Sequence, residues 1–177
     1  MNYATIKYCD IANGTGVRTS LFVSGCRRHC PECFNAVAWD FGYGLPFDKA
    51  VRNEILGSLA PDYIDGLSLL GGEPFEPENQ PEVLALCRAV REKFPEKTIW
   101  CYSGYTLETD ILAGRLGPKD ITMELLGQLN VLVDGEFHLE EKDPSLRFRG
   151  SRNQRIIDVK KTLETGETVL WDGRKEP

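Results

Sequence analysis

Three cysteines lie close together in this chain, at Cys26, Cys30 and Cys33, with the spacing C-x3-C-x2-C. Thiolates are soft ligands that suit zinc or iron–sulfur clusters. A structural zinc site normally takes four protein ligands, and a cubane iron–sulfur cluster normally takes four thiolates. With three protein ligands one metal position stays open, and an open position marks a reactive site more often than a structural one.

The residues alone also allow a different chemistry for the three cysteines. One alternative is a zinc site completed by Cys9 or His29, and another is a Cys–His nucleophile pair, although that pair would leave two cysteines without a role. His29 lies inside the cysteine loop, yet we expect it to be an exposed loop histidine. The isolated Cys9, Cys87 and Cys101 are expected to be small apolar residues in or near the core.

The remaining composition is that of an ordinary folded chain. It has 177 residues, of which 41% are hydrophobic and 27% charged, which suits one compact domain and argues against disorder. The net charge of −6 predicts no binding to nucleic acid or to an anionic membrane surface. The N-terminus has no apolar signal core and no apolar stretch approaches the length of a membrane span, so we expect a cytoplasmic protein with reduced thiols.

Strand and helix signals alternate along the chain. Strands are predicted at 19–24, 66–70, 98–102 and 130–133, and a hairpin or strand pair at 155–159 and 168–171. Helices are predicted after Asp48 and near Asn79, with shorter or weaker ones at 34–39, 106–113 and 123–129. This alternation predicts an α/β fold with a mostly parallel sheet and right-handed crossovers.

Each loop with chemical potential follows one of these strands. The cysteines follow 19–24, Gly71-Gly-Glu-Pro74 follows 66–70, and Ser103-Gly104 and Asp134-Gly135 follow the next two strands. Ligands of parallel sheets collect beyond the carboxyl ends of the strands, so these loops are expected to meet at one edge. The Asn13-Gly-Thr-Gly16 segment lacks the ending of a phosphate-binding loop and is expected to be a turn.

The cysteine spacing after one strand and the Gly-Gly-Glu-Pro turn after the next resemble the radical S-adenosylmethionine superfamily. Segments 10–14, 21–26, 30–35, 130–135 and 143–154 further resemble the family that activates the anaerobic (class III) ribonucleoside-triphosphate reductase. The matches run in family order from about residue 2 to about residue 158. Val133-Asp-Gly135 and Ser145-Leu-Arg-Phe-Arg-Gly-Ser-Arg-Asn-Gln154 carry the narrower resemblance.

This resemblance implies a [4Fe–4S] cluster on Cys26, Cys30 and Cys33, with the open iron chelating the amino and carboxylate groups of S-adenosylmethionine. An electron from the cluster would cleave the C5′–S bond, and the 5′-deoxyadenosyl radical would take a hydrogen from a glycine α-carbon of the reductase. In this family the electron usually comes from reduced flavodoxin. The implied fold is an open, shortened partial (β/α) barrel, as one domain over 1–177 with 143–177 as a C-terminal extension.

The resemblance also implies contacts to S-adenosylmethionine. The backbone of Glu32, Cys33 and Phe34 would face the adenine, with the Phe34 ring packing near it. Many superfamily members have an aromatic residue just before the third cysteine, where this chain has Glu32, so the adenine contact at that position is expected from the main chain. Gly71 and Gly72 would present main-chain acceptors to the methionine ammonium.

Further polar residues complete the implied site. Ser103 and Asp134 are candidates for ribose hydroxyls or methionine polar groups. Arg147, Arg149 and Arg152 belong to a segment with four arginines and no acid, which is either a solvated loop or a contact to the reductase or to an anionic group of the cofactor.

Two rival functions stay open at this point. One is activation of another glycyl-radical enzyme, such as the pyruvate formate-lyase type. The other is a zinc-stabilised adapter without catalytic activity, which metal content would distinguish from an iron–sulfur protein.

Overall fold

Seven strands and four α-helices form the framework of residues 1–173, which are the residues that the computed structural model describes. The strands are β1 (Asn2–Asp10), β2 (Arg18–Val23), β3 (Leu45–Pro46), β4 (Gly66–Gly71), β5 (Thr98–Tyr102), β6 (Val131–Asp134) and β7 (Arg155–Asp158). The helices are α1 (Lys49–Leu59), α2 (Gln80–Lys93), α3 (Lys119–Gln128) and α4 (Val159–Thr165). Short 3₁₀ turns occupy Ala36–Trp39 and Leu139–Glu141, and a π-helical turn occupies Leu107–Ile111.

The strands join one mixed sheet in the order β3-β1-β2-β4-β5-β6-β7. The central strands β2, β4, β5 and β6 are parallel, whereas β1, β3 and β7 run antiparallel to their neighbours. The predicted parallel α/β sheet is therefore confirmed in its centre, while its antiparallel edges are features that the sequence pattern does not predict. β3 and β7 lie at opposite ends of the order, so the sheet is open.

The helices cover one face of this sheet. Successive side chains of a strand point to opposite faces. In β5, Ile99 and Cys101 belong to the helix-covered core, whereas Trp100 between them belongs to a second cluster on the other face. The second cluster consists of Trp100, Val131 and Val133, with Tyr102, Phe148, Ile156 and Trp171 packed against it.

The two longest helices begin where the sequence predicts, but only one has the expected cap. The Asp48 carboxylate accepts a hydrogen bond from the Val51 amide at 2.9 Å, which satisfies a free donor of the first turn of α1. Asn79 directly precedes α2 but makes no side-chain capping bond; its side-chain amide donates to the carbonyls of Ser24 and Glu73, each at 2.9 Å. Asn79 therefore ties the start of α2 to the end of β2.

Several elements differ from the sequence-based expectation. β1 is not predicted, because most of its side chains are partly or fully exposed and show no clear alternation. The weak helix at 106–113 is only the π-helical turn at Leu107–Ile111, and α3 begins at Lys119, ahead of the expected position. The strand pair at 155–159 and 168–171 is confirmed in part: α4 follows β7, and the chain returns through an isolated bridge between Ile157 and Leu170.

The three isolated cysteines do not share one environment. Cys87 and Cys101 are fully buried, as predicted. Cys9 is exposed, so the expectation of a core residue is wrong for it. Its φ of 51° lies in the left-handed region. Cys9 also lies where the pairing of β1 with β2 shifts register, and this irregularity turns the side chain outward.

A membrane-spanning helix is not found within residues 1–173, where each helix is too short or too polar to span a bilayer.

Candidate active site

A cavity of about 460 Å³ opens at the carboxyl ends of the parallel strands. Its walls include all three clustered cysteines and most of the other predicted site residues, namely Glu32, Phe34, Gly71, Gly72 and Ser103. The predicted meeting of strand-end loops at one edge of the sheet is therefore confirmed. Apolar side chains such as Leu70, Phe137 and Phe148 form much of the remaining wall.

The cysteine loop curls because two of its residues adopt left-handed backbone conformations. His29, directly before Cys30, has a φ of 49°, and Glu32, directly before Cys33, has a φ of 55°. The Cys33 amide donates to the Cys30 carbonyl at 3.2 Å, which closes the turn between them. Within residues 1–173 no three His, Cys, Asp or Glu side chains are already grouped closely enough to hold one ion. All three clustered cysteines nevertheless belong to the wall of one cavity.

The thiols near the base of the loop are neutral when no metal is bound. The pKa of Cys26 is raised to about 12, chiefly by burial and then by the nearby Glu73 carboxylate. The backbone amides of Arg28 and His29 donate hydrogen bonds to Cys26 and oppose this rise in pKa. Burial is also the main cause that raises the pKa of Cys30. Binding of a metal would release these protons, because the thiolate is the form that coordinates.

Gly71 and Gly72 bring the loop after β4 directly against the cysteine loop. Gly71 has a φ of 110°, a conformation that residues with a Cβ rarely adopt. A Cβ on Gly72 would lie 2.6 Å from the Gly25 carbonyl oxygen and 2.9 Å from that of Ala38. The Gly72 amide donates to the Val23 carbonyl at 2.7 Å. Only glycine allows this approach of two backbones.

Glu73 is a cavity residue to which the sequence pattern assigns no role. It is 1% exposed, and its carboxylate accepts hydrogen bonds from the amides of Phe75 at 2.9 Å and Gly104 at 2.7 Å. Burial raises its pKa to about 7, against these two amides and the Ser103 hydroxyl, which lower it. The sequence does contain a signal for Glu73, because it is an acidic residue directly after Gly71-Gly72 at the end of a buried strand.

The other two polar candidates have different places. Ser103 lies in the cavity wall, although its hydroxyl oxygen also accepts a hydrogen bond from the Tyr105 amide at 3.0 Å. Asp134 is not among the residues that line the cavity. Its buried carboxylate accepts hydrogen bonds from the Leu107 amide at 2.8 Å and the Arg155 Nε at 2.9 Å. Groups of the protein itself therefore engage this carboxylate, and its contact to a ligand stays a prediction.

Two predicted residues lie at the mouth of the cavity. Glu32 and Phe34 both contribute to the wall, and the Phe34 side chain is 83% exposed. His29 is exposed, as predicted, and its ring stacks on Trp39 with 4.7 Å between centroids. The mouth therefore carries an accessible aromatic ring next to Cys33.

The 13–16 segment forms the connection between β1 and β2. The Asp10 carboxylate accepts hydrogen bonds from the Ala12 amide at 2.9 Å and the Asn13 side chain at 2.6 Å. Asp65 similarly accepts one from the Val17 amide at 2.8 Å. Ala12 and Asn13 also line the cavity, which the sequence pattern does not predict.

The arginine-rich segment is largely held by internal partners. Arg152 pairs with Asp143 at 3.0 Å, and the Arg147 guanidinium lies 5.0 Å from the centroid of the Phe148 ring. Arg149 donates to the Gln154 carbonyl at 2.6 Å and is the arginine of this segment that lines the cavity, within the described residues.

Comparison with known proteins defines the class of this site. Residues 12–157, which include the three clustered cysteines, match the family model described as "4Fe-4S single cluster domain". This match favours an iron–sulfur cluster over the zinc-stabilised adapter. The chain is thus an iron–sulfur protein with a 4Fe-4S cluster domain.

Individual relatives narrow the family. The chain is 42% identical over 156 residues to the anaerobic ribonucleoside-triphosphate reductase-activating protein of Escherichia coli (strain K12), covering 87% of this chain and 96% of that protein. The protein of the same name from Pasteurella multocida (strain Pm70) is 40% identical over 158 residues, with 88% and 96% covered. That of Enterobacteria phage T4 is 38% identical over 157 residues, with 88% and 93% covered. The chain belongs to the family of anaerobic ribonucleoside-triphosphate reductase-activating proteins.

Proposed function

We propose that this chain activates an anaerobic ribonucleoside-triphosphate reductase by generating its glycyl radical, through reductive cleavage of S-adenosylmethionine at a [4Fe–4S] cluster. The observation that carries the proposal is that Cys26, Cys30 and Cys33 line one cavity, beside Gly71 and Gly72. The names of the relatives supply the partner.

The donor set fits the cluster. Cys26, Cys30 and Cys33 line one cavity, and their thiolates would hold a [4Fe–4S] cluster and leave it able to bind S-adenosylmethionine. When bound, the cluster and S-adenosylmethionine would together supply the chemistry that removes a hydrogen atom from a glycine of the reductase. The Arg28 and His29 amides that donate to Cys26 favour its thiolate once the proton has left.

The remaining residues orient S-adenosylmethionine and keep water away. In this proposal the main chain at Gly71 and Gly72 accepts hydrogen bonds from the methionine ammonium, and the backbone of Glu32, Cys33 and Phe34 faces the adenine. Asp134, whose carboxylate is also held by Leu107 and Arg155, stays a candidate for ribose hydroxyls or methionine polar groups.

Ser103 and Arg149 supply further polar groups at the wall of the cavity. Ser103 faces the ribose or methionine, and Arg149 faces an anionic group. The apolar wall around Leu70 and Phe148 limits side reactions of a radical with solvent.

The architecture supports the same proposal. An open sheet with a parallel centre is compatible with a shortened partial barrel of the radical S-adenosylmethionine type. The chain forms one domain, and β7 joins its C-terminal extension to the common sheet.

Reduced flavodoxin or a similar donor supplies the electron. The reaction takes place in the cytoplasm, where thiols stay reduced.

The test is anaerobic reconstitution followed by incubation with S-adenosylmethionine, a low-potential reductant and the reductase. We expect about four irons per chain and a glycyl signal in electron paramagnetic resonance. Cys26→Ala, Cys30→Ala and Cys33→Ala should each abolish the signal, whereas Cys87→Ala, in the buried core, should retain it. No signal with the reductase, but one with a pyruvate formate-lyase type enzyme, would contradict the proposed partner.

A further inference from the structure

Glu76 is a buried carboxylate that the proposed chemistry does not use. It is 1% exposed and lies in the turn between β4 and α2. Its amide donates to the Glu73 carbonyl at 3.2 Å, and its own carbonyl accepts from the amides of Asn79 at 2.8 Å and Gln80 at 3.0 Å. The backbone of Glu76 is therefore fixed by the start of α2 and does not depend on the cysteine loop.

The Glu76 side chain points at the cysteine loop and is fully engaged there. Arg27, in the spacer between Cys26 and Cys30, donates to it twice: its amide to Oε1 at 2.8 Å and its Nη1 to Oε2 at 2.5 Å. The Tyr105 hydroxyl donates to Oε1 at 3.1 Å from the loop after β5. A buried charge is costly unless it is paired and hydrogen-bonded, so loss of either Arg27 contact would leave the Glu76 carboxylate poorly satisfied.

The two arginines of the spacer attach the cysteine loop in two directions. Arg27 also binds Glu78, with contacts at 2.5 and 2.9 Å, next to α2. Arg28 pairs with Glu136 in the loop after β6, and its guanidinium lies 5.3 Å from the Tyr105 ring centroid. Three neighbouring strand-end loops thus hold the segment that carries the first two thiols.

We propose that Glu76 is a positioning residue, whose buried carboxylate holds the Arg27 segment so that the thiols of Cys26 and Cys30 face the cavity and keep a bound cluster in place. The inference rests on the proposed function for the identity of the cluster. The restraint on the loop is a property of the metal-free chain. Residues that orient ligands from outside the coordination shell commonly change metal affinity by about 10–100-fold when they are replaced.

The first measurement is hydrogen exchange of the metal-free chain, read on peptides that cover residues 24–35. Glu76→Gln keeps the shape of the side chain but removes the charge that pairs with Arg27, so exchange in this segment should accelerate. Tyr105→Phe removes one hydrogen bond to the same carboxylate while keeping the ring beneath Arg28, so its effect should be smaller. Glu124→Gln breaks an equivalent but exposed Arg88–Glu124 pair and should leave 24–35 unchanged.

The second measurement is the rate at which a ferrous chelator removes iron from the reconstituted chain. We expect Glu76→Gln to lose iron about 10-fold faster or more than wild type and Glu124→Gln. If Glu76→Gln fails to fold, Arg27→Met, whose side chain is 54% exposed, should give the same result in a folded chain. Unchanged exchange in 24–35 together with unchanged iron loss would overturn the proposal. A wild-type chain that binds no cluster would instead overturn the proposed function, while the exchange experiment would still stand.

Discussion

Glu73 places an ionisable group of unusual pKa against the cavity. Two backbone amides and a hydroxyl hold its carboxylate, but burial outweighs them and raises its pKa from 4.5 to about 7. Glu73 also links two loops, since it belongs to the turn after β4 and accepts from Gly104 after β5. Folding therefore changes the pKa of Glu73, and with it the charge of this carboxylate between about pH 4.5 and pH 7.

A consequence is a pH-dependent stability of the metal-free chain. Because the folded state holds the Glu73 proton more tightly than the unfolded state, the free energy of unfolding should fall as pH rises from about 4.5 to about 7. Glu73→Gln mimics the protonated form and should remove a decrease on the order of 2–3 kcal/mol across this window. Denaturant unfolding at pH 5 and pH 8 measures it. Parallel pH profiles for the two chains would contradict the prediction.

Glycine at position 72 is also a residue-scale requirement. Gly72→Ala would force a Cβ against two backbone carbonyl oxygens that cannot move cheaply, so we expect a clear fall in melting temperature. Gly57, inside α1, has no atom within 4 Å of the position that a Cβ would occupy, and Gly57→Ala should raise stability by about 0.5–1 kcal/mol. Thermal unfolding of both variants checks the opposite signs. A neutral Gly72→Ala would show that the two loops can separate without cost.

At the scale of elements, burial decides which parts of the fold can be predicted from the sequence. β2 and β4 are buried on both faces, and each contains an apolar stretch (residues 21–23 in β2, residues 69–70 in β4) from which the strand is predicted. β1 is largely exposed and gives no such pattern. α4 is not predicted either. It has an Asp158 cap and a left-handed Gly166 at its end, but only Val159 and Thr162 of its residues are buried, so it shows no apolar periodicity.

The candidate site follows the same division. The cysteines and Gly71-Gly72 are predicted because their chemistry is encoded in local spacing. Glu73 and Glu76 are not, because their partners Gly104, Arg27 and Tyr105 lie 31, 49 and 29 residues away along the chain. Contacts over such separations exist only once the strands have paired.

Arg18 shows how one side chain can join three strands. It is fully buried at the start of β2, and it donates to the Ser68 hydroxyl at 2.7 Å and the Leu67 carbonyl at 2.8 Å in β4. It also donates to the Thr98 carbonyl at 2.9 Å and hydroxyl at 2.9 Å in β5. Its guanidinium lies 5.6 Å from the Trp100 ring centroid.

Arg18→Met should therefore weaken the sheet itself. Two strand carbonyls would lose their buried donor, and we expect a loss on the order of 3 kcal/mol in the free energy of unfolding. Arg88→Met, which breaks an exposed ion pair, should leave the free energy of unfolding nearly unchanged. Denaturant titration followed by far-ultraviolet circular dichroism compares the two. Equal, small losses would mean that Arg18 contributes little to strand cohesion.

At the scale of the whole molecule, the sheet has one face covered by helices and another covered by loops and the C-terminal segment. The family model matches residues 12–157, so α4 and the return segment lie outside the matched part. That return segment is attached to β7: the Asp158 amide donates to the Val169 carbonyl, and the Trp171 amide to the Ile156 carbonyl, each at 2.9 Å. It brings the Trp171 ring onto the second cluster.

Trp171 is thus expected to stabilise the face of the sheet that lies opposite the helices. Its ring meets Trp100 with 5.1 Å between centroids and Phe148 with 6.4 Å, both edge to face. Trp171→Ala should lower the free energy of unfolding by about 2–3 kcal/mol, somewhat below the usual cost of a fully buried tryptophan because Trp171 is only partly buried. The near-ultraviolet circular dichroism of the second cluster should weaken at the same time.

The matched control is Leu170→Ala, because the Leu170 side chain is 62% exposed. It should leave the free energy of unfolding and the near-ultraviolet signal nearly unchanged. If Trp171→Ala behaves like Leu170→Ala, the Trp171 ring contributes little and the other residues of the second cluster stabilise this face without it.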